Sequence, residues 1–185
     1  VVYRSDDSGT TDNFQQYLKA ASAGAWDRGG GKAFTGATGQ GATGNQGVVA
    51  MVKDTPGAIT YSDWSSVVDS GLPTADIKTS AGVTPIGTDW EGTSIAPVTV
   101  VGTGNDMTLD MTPAFTPSAK FGYPILLASY AVVCSKYPDP EVGRAVKTFL
   151  QSTVTNGQTG LNKSGYIPLP PGLQAKVAAA IDTVS

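Results

Sequence analysis

The eight residues Arg4-Ser5-Asp6-Asp7-Ser8-Gly9-Thr10-Thr11 combine side chains and backbone suited to holding a tetrahedral anion. A turn from strand into helix exposes backbone N–H groups that the helix itself cannot satisfy. The helix dipole adds partial positive charge at the same end. Gly9 lets the backbone come close without a Cβ in the way, and Ser8 and Thr10 add hydroxyl donors. Arg4 adds a planar fork that matches two phosphate oxygens. Asp6 stands two residues from Arg4, so in an extended segment both side chains leave the same face. A carboxylate there would hold the guanidinium in one rotamer and moderate its charge. On spacing alone, ordinary capping by Ser-Gly-Thr-Thr and a surface Arg–Asp pair explain these residues slightly better. A nucleotide P-loop is a weaker contender, since the Gly-x4-Gly-Lys-Ser/Thr pattern is missing.

Other chemistries have little to work with. The chain has 185 residues and no histidine, which removes the commonest general base and metal ligand. Its single cysteine, Cys134, offers neither an internal disulfide nor a zinc site. Cys134 ends the apolar run from Ile125 and is expected to be a buried structural thiol rather than a nucleophile. The net charge of −3, the pI near 4.7 and the lack of any basic run argue against nucleic acid as a partner. No stretch of ~20 apolar residues is present to span a membrane. Val1-Val2-Tyr3-Arg4 reads like the middle of a domain, so a fragment of a longer chain is expected, and no signal peptide is visible.

The elements that must position the loop alternate as strand, helix and loop, which predicts an α/β architecture. Val1 to Tyr3 reads as a strand. Phe14, Tyr17, Leu18 and Ala21 recur at helical spacing, with Thr10, Thr11 or Asp12 as candidate caps. Gly29 to Gly47 reads as loop. Thr43-Gly44-Asn45 opens a second helix with Val48, Met51 and Val52 on one face. Ala58 to Tyr61 reads as a strand, and Ser62 as the cap of a helix through Trp64, Val67 and Val68. Ile95 to Val101 and Met107 to Met111 read as short peripheral strands. Tyr123-Pro124 begins the longest apolar run, expected to be a strand central to a covered sheet. Pro140 suits the first turn of a helix bearing Val142, Ala145, Val146, Phe149 and Leu150. Gly165 to Pro170 reads as extended, and Leu173, Val177 and Ile181 line a final helix.

The segment from Arg4 to Thr11, followed by Phe14 and Tyr17-Leu18, resembles the Arg-x-Asp-x-Ser-Gly-Thr motif of phosphate-binding proteins of the phosphate ABC importer. Gly44-Asn45-Gln46-Gly47, Thr55-Pro56-Gly57-Ala58-Ile59-Thr60-Tyr61, Tyr123-Pro124-Ile125 and Tyr166-Ile167-Pro168-Leu169-Pro170 resemble further stretches of that family, in the same order. The resemblance is weakest between Ala75 and Gly122 and greatest to actinobacterial members. The first motif is specific; the others are mainly structural.

The resemblance implies a two-lobed periplasmic-binding-protein-like fold of type II, with the N-terminal part of lobe one absent from this chain. Residues 1–122 would form most of lobe two, and residues 123–185 the hinge return and C-terminal part of lobe one. It implies that Arg4, Ser8, Gly9 and Thr10 bind inorganic phosphate and that Asp6 orients Arg4. Asp7 departs from the family, where many members carry Gly, and is expected to face solvent, since a carboxylate turned inward would repel the anion. No cofactor, metal or catalysis is implied. The implied partner is an ABC importer permease, and the implied location is extracytoplasmic, held by a lipid anchor on a segment not present here. The family's carboxylate that accepts a hydrogen bond from protonated phosphate would also precede Val1. Two rival readings are a degenerate surface or assembly subunit, and a phosphate-ester hydrolase with Ser8 or Thr10 as nucleophile.

Overall fold

The computed structural model describes residues 1–36, 38–80, 82–87, 98–116 and 122–185. Strand β1 (Val2–Arg4) leads into helix α1 (Gly9–Ala21), and strand β2 (Gln40–Ala42) returns parallel to β1, with Val2, Tyr3 and Arg4 opposite Gln40, Gly41 and Ala42. Parallel neighbours require a crossover, and α1 with the loop after it supplies one. That loop therefore contains a strand the sequence pattern did not show. Helix α2 (Gly44–Asp54) follows at once.

Ser8, rather than Thr10, Thr11 or Asp12, caps α1: its backbone is extended and its Oγ accepts from the Thr11 N–H at 3.3 Å. The helix also seats a different face from the expected one. Thr11 and Gln15 are fully buried, whereas Phe14, Tyr17 and Leu18 are half-buried and Ala21 is exposed. Gln15 is tolerated inside because its amide is saturated. Nε2 donates to the carbonyls of Gly31 and Ala33 (2.8 and 3.0 Å), and Oε1 accepts from the N–H and hydroxyl of Thr35 (2.8 and 2.7 Å). These bonds fix the glycine-rich loop over α1.

Val2, Val48, Val49 and Tyr61 form the apolar floor under β1 and α2. Each fully buried valine contributes about 1.5–3 kcal/mol relative to exposure. Stacked rings extend the floor, Phe14 on Tyr61 and Tyr3 on Phe34, with centroids 4.6 and 4.8 Å apart. The expected strand at Ala58 to Tyr61 is extended chain instead, tied to β1 by one backbone bond from Val2 N–H to the Ile59 carbonyl. The next helix, α3 (Trp64–Val67), is one turn long and starts after Asp63, not Ser62.

Beyond α3 the described chain forms two small antiparallel hairpins, β3 (Ile77–Thr79) with β4 (Gly82–Thr84) and β5 (Thr99–Val100) with β6 (Leu109–Asp110), then the short helix α4 (Thr112–Phe115). The expected strand Ile95 to Val101 lies partly outside the described residues. At the C-terminal end α5 (Pro140–Val154) and α6 (Pro171–Asp182) pack Leu150, Val154 and Ile181 together, flanked by Val146, Leu169, Val177 and Ala178. Asp139 caps α5 and Pro140 takes its first position, as its fixed φ allows. Val142 and Phe149 stay outward.

The run from Tyr123 to Cys134 departs furthest from expectation. It pairs with no strand among the described residues. Val132 is 94% exposed, and Cys134 is an exposed thiol rather than a buried one. An apolar run signals a covered strand only where neighbouring strands and helices exist to cover it. Among the described residues Pro124 at its start is buried, while the stretch from Ser129 to Cys134 is exposed and has no strand beside it.

Candidate functional site

Arg4 is the last residue of β1, and its side chain lies against Asp6, two residues on, as the period of extended chain requires. Nε donates to Asp6 Oδ1 at 2.8 Å and Nη2 to Oδ2 at 2.5 Å, a side-on bidentate pair. The Arg4 side chain is 11% exposed and that of Asp6 33%. Asp6 Oδ1 also accepts from the Gly44 N–H at 3.1 Å, which fastens the end of β1 to the start of α2. Hydrogen bonding to Arg4, and then to the Gly44 N–H, holds the Asp6 carboxyl well below the usual carboxylate range. The same bond to Asp6 raises the Arg4 guanidinium above its ordinary value against an opposing effect of burial.

At the start of α1, Ser8 is buried and its N–H donates to the Lys32 carbonyl. Gly9 is exposed, with open space where a Cβ would stand. The N–H groups of Gly9 and Thr10 have no acceptor among the described residues. Both point out of the positive end of a 13-residue helix. Asp7 is exposed. The Thr10 hydroxyl is already engaged: it donates to Asp63 Oδ1 at 3.1 Å.

Three residues that sequence reasoning did not assign complete the arrangement. Asn45, in the first turn of α2, accepts from Arg4 Nη1 at 2.7 Å and donates from Nδ2 to Asp63 Oδ2 at 2.6 Å. Asp63 thus bridges Asn45 and Thr10. Tyr61 is buried beneath them, its hydroxyl accepting from the Arg4 N–H at 3.3 Å and paired with the Thr11 hydroxyl at 2.7 Å. Asn45 and Tyr61 stand in stretches whose pattern is structural, and Asp63 beside a presumed cap at Ser62; none carries a local mark of partnership with Arg4. Gly44 adopts φ +72°, a left-handed conformation that glycine takes without steric cost, and its N–H donates to Asp6 Oδ1.

Of the five guanidinium N–H groups, Asp6 and Asn45 take three. One is left on each terminal nitrogen. The Gly9 and Thr10 N–H groups and the Ser8 hydroxyl proton are the other donors at the start of α1 that stand unengaged among the described residues. The described residues hold no group of three or more His, Cys, Asp or Glu able to bind a metal. No described helix is long and apolar enough to cross a membrane. Two cavities of about 340 and 330 Å³ lie elsewhere, one between β5–β6 and α6, the other beside Val1 and Thr55 to Ala58.

Residues 1–156 match the family described as a PBP superfamily domain, and the chain belongs to that superfamily. Its mixed helix and strand content agrees with the α/β expectation. Over 187 aligned positions, covering all of this chain and 50% of the relative, it is 51% identical to phosphate-binding protein PstS 3 of Mycobacterium tuberculosis. It is 48% identical, at the same coverage, to phosphate-binding protein PstS 2 of that organism. It is 29% identical to phosphate-binding protein PstS of Xylella fastidiosa, over 97% of this chain and 49% of the relative. The chain spans about half the length of the curated relatives it matches.

Proposed function

We propose that this chain supplies one half of the binding cleft of an extracytoplasmic receptor for inorganic phosphate. The observation that carries the reading is Arg4, clamped by Asp6 and Asn45, with two N–H groups unspent beside the open start of α1. Arg4, Ser8, Gly9 and Thr10 would contact the anion, and Asp6 would orient Arg4. The relatives are named phosphate-binding proteins, which supports phosphate as the anion. Residues 1–122 would belong largely to one lobe and residues 123–185 to the other. Capture between lobes, delivery to an ABC importer permease and tethering by a lipid anchor complete the proposal. Catalysis has no place in it: there is no histidine, and the named relatives are binding proteins.

The test is calorimetric titration of phosphate, with sulfate as control, into the complete gene product and into this chain alone. Phosphate-selective binding by the complete protein, weak or lost in the chain alone, is the expected result. Binding of neither oxyanion by the complete protein overturns the reading and leaves a surface or assembly subunit in its place.

A further inference from the structure

We infer, on the phosphate-binding reading above, that Asp63 is a positioning residue for Arg4 and acts on it through the side-chain amide of Asn45. An amide offers an oxygen that accepts and an NH2 that donates, so its neighbours decide which way round it sits. Asn45 stands between a guanidinium, which only donates, and a carboxylate, which only accepts. Its Oδ1 accepts from Arg4 Nη1 at 2.7 Å, and its Nδ2 donates to Asp63 Oδ2 at 2.6 Å. Turned over, the amide would set donor against donor at Arg4 and acceptor against acceptor at Asp63. Asp63 thus keeps the amide oxygen aimed at Arg4.

The Asp63 carboxylate gives up a commoner task to do this. Asp63 has the extended backbone of an N-cap directly before α3, yet its side chain caps no N–H of that helix. Aspartate in that position ordinarily bonds the N–H groups of the first turn. Both carboxylate oxygens go instead to other elements. Oδ2 takes Asn45 at the start of α2, and Oδ1 takes the Thr10 hydroxyl at the start of α1, 3.1 Å away. Holding the carboxylate at two points fixes it, and a fixed carboxylate fixes the amide. Thr10, Asn45 and Asp63 are all half-buried, so water competes only partly for these bonds.

The consequence falls on the aim of Arg4. Asp6 holds Nε and Nη2, which is one edge of the guanidinium. Among the described residues Asn45 is what holds Nη1. Without that contact the far end of the fork swings about the Asp6 pair, and the two N–H groups left for a ligand lose their direction. A binding group works at full strength only when the residues behind it lock its geometry.

The test measures phosphate affinity of the complete gene product carrying Asp63→Ala or Asp63→Asn, each alone and combined with Asn45→Ala. Both Asp63 substitutions remove the same negative charge, so a difference between them reads hydrogen bonding. Asp63→Asn keeps an oxygen for the Asn45 NH2, and Asp63→Ala keeps none. Asp63→Ala is expected to bind phosphate at least about threefold more weakly than Asp63→Asn, and the gap is expected to close in the Asn45→Ala background. A merely structural role leaves the gap open there. NMR relaxation of the Asn45 side-chain amide adds a readout without ligand: its order parameter is expected to fall in Asp63→Ala and recover in Asp63→Asn. Equal affinities of the two variants, a gap that survives Asn45→Ala, or an amide as rigid in Asp63→Ala as in the wild type overturns the inference and leaves the phosphate reading intact. If Asp63→Ala does not fold, Asp63→Asn decides: an amide looser than in the wild type overturns the inference. Failure of the wild-type protein to bind phosphate overturns the phosphate reading and this one with it.

Discussion

Arg4 Nη1 and Asn45 Oδ1 lie 2.7 Å apart across 41 positions of sequence, so the start of α2 clamps the last residue of β1. This bond takes a third guanidinium N–H beside the two that Asp6 holds, and leaves one free on each terminal nitrogen. Arg4→Ala removes a charge-assisted, two-pronged contact and is expected to weaken phosphate binding by about 2–5 kcal/mol. Asn45→Ala keeps the charge but loosens its aim, and a smaller loss is expected. Titration calorimetry on the complete protein reads both; equal losses would place Asn45 in direct contact with the ligand.

The Asp6 carboxyl, ordinarily near 3.8, is held well below that value in the folded chain. A carboxyl depressed on folding adds stability above its unfolded value and loses it as pH falls toward the folded one. The stability difference between wild type and Asp6→Asn is therefore expected to be level above about pH 5 and to narrow below 3.8. Urea denaturation at several pH values measures it. A difference that widens on acidification would mean that the Arg4–Asp6 pair is not the source.

Gln15 makes a third case, because its amide holds the loop that the Ser8 N–H also reaches through the Lys32 carbonyl. Gln15→Leu keeps the volume and removes all four bonds. The orphaned groups of Gly31, Ala33 and Thr35 are expected to cost about 1–3 kcal/mol, read as a lower thermal midpoint.

Much of the site was legible because its residues are neighbours in sequence. Arg4 and Asp6 share a face by the period of extended chain, and Ser8-Gly9-Thr10 open a helix by capping chemistry. Asn45 and Asp63 were not legible, since the bond from Thr10 to Asp63 spans 53 positions and no local period reports it. Helix periodicity misled at α1 for a related reason. The apolar stripe predicts one buried face, while Gln15 and Thr11 go inside because the 31–35 loop and Tyr61 satisfy them. Strand β2 escaped because Gln40-Gly41-Ala42 has neither alternation nor β-branched residues; its pairing with β1 makes it a strand.

Gly165 carries a prediction about how the C-terminal part meets α3. Its φ is +81°, and a Cβ built there would stand 2.7 Å from the Ser65 Cα and N. Gly165→Ala therefore pays twice, in left-handed backbone and in contact with main chain that has little room to yield. A loss of about 2 kcal/mol or more is expected in urea denaturation, with phosphate affinity changing less than stability. A neutral substitution would show that the two segments do not meet this closely.

Cys134 tests the apolar run that reads as a covered strand and lies open here. In this 185-residue chain the thiol is exposed, so a thiol reagent is expected to label it fully without denaturant. If residues 123–134 pair with further strands in the complete protein, the same thiol there becomes slow to label and reacts only on unfolding. Equal, rapid labelling in both would show that the run is not a covered strand and would remove the placement of residues 123–185 in a second lobe. Protection in the complete protein alone would account for the exposed Val132 and Val133 as the opposite faces of a strand covered there on both sides.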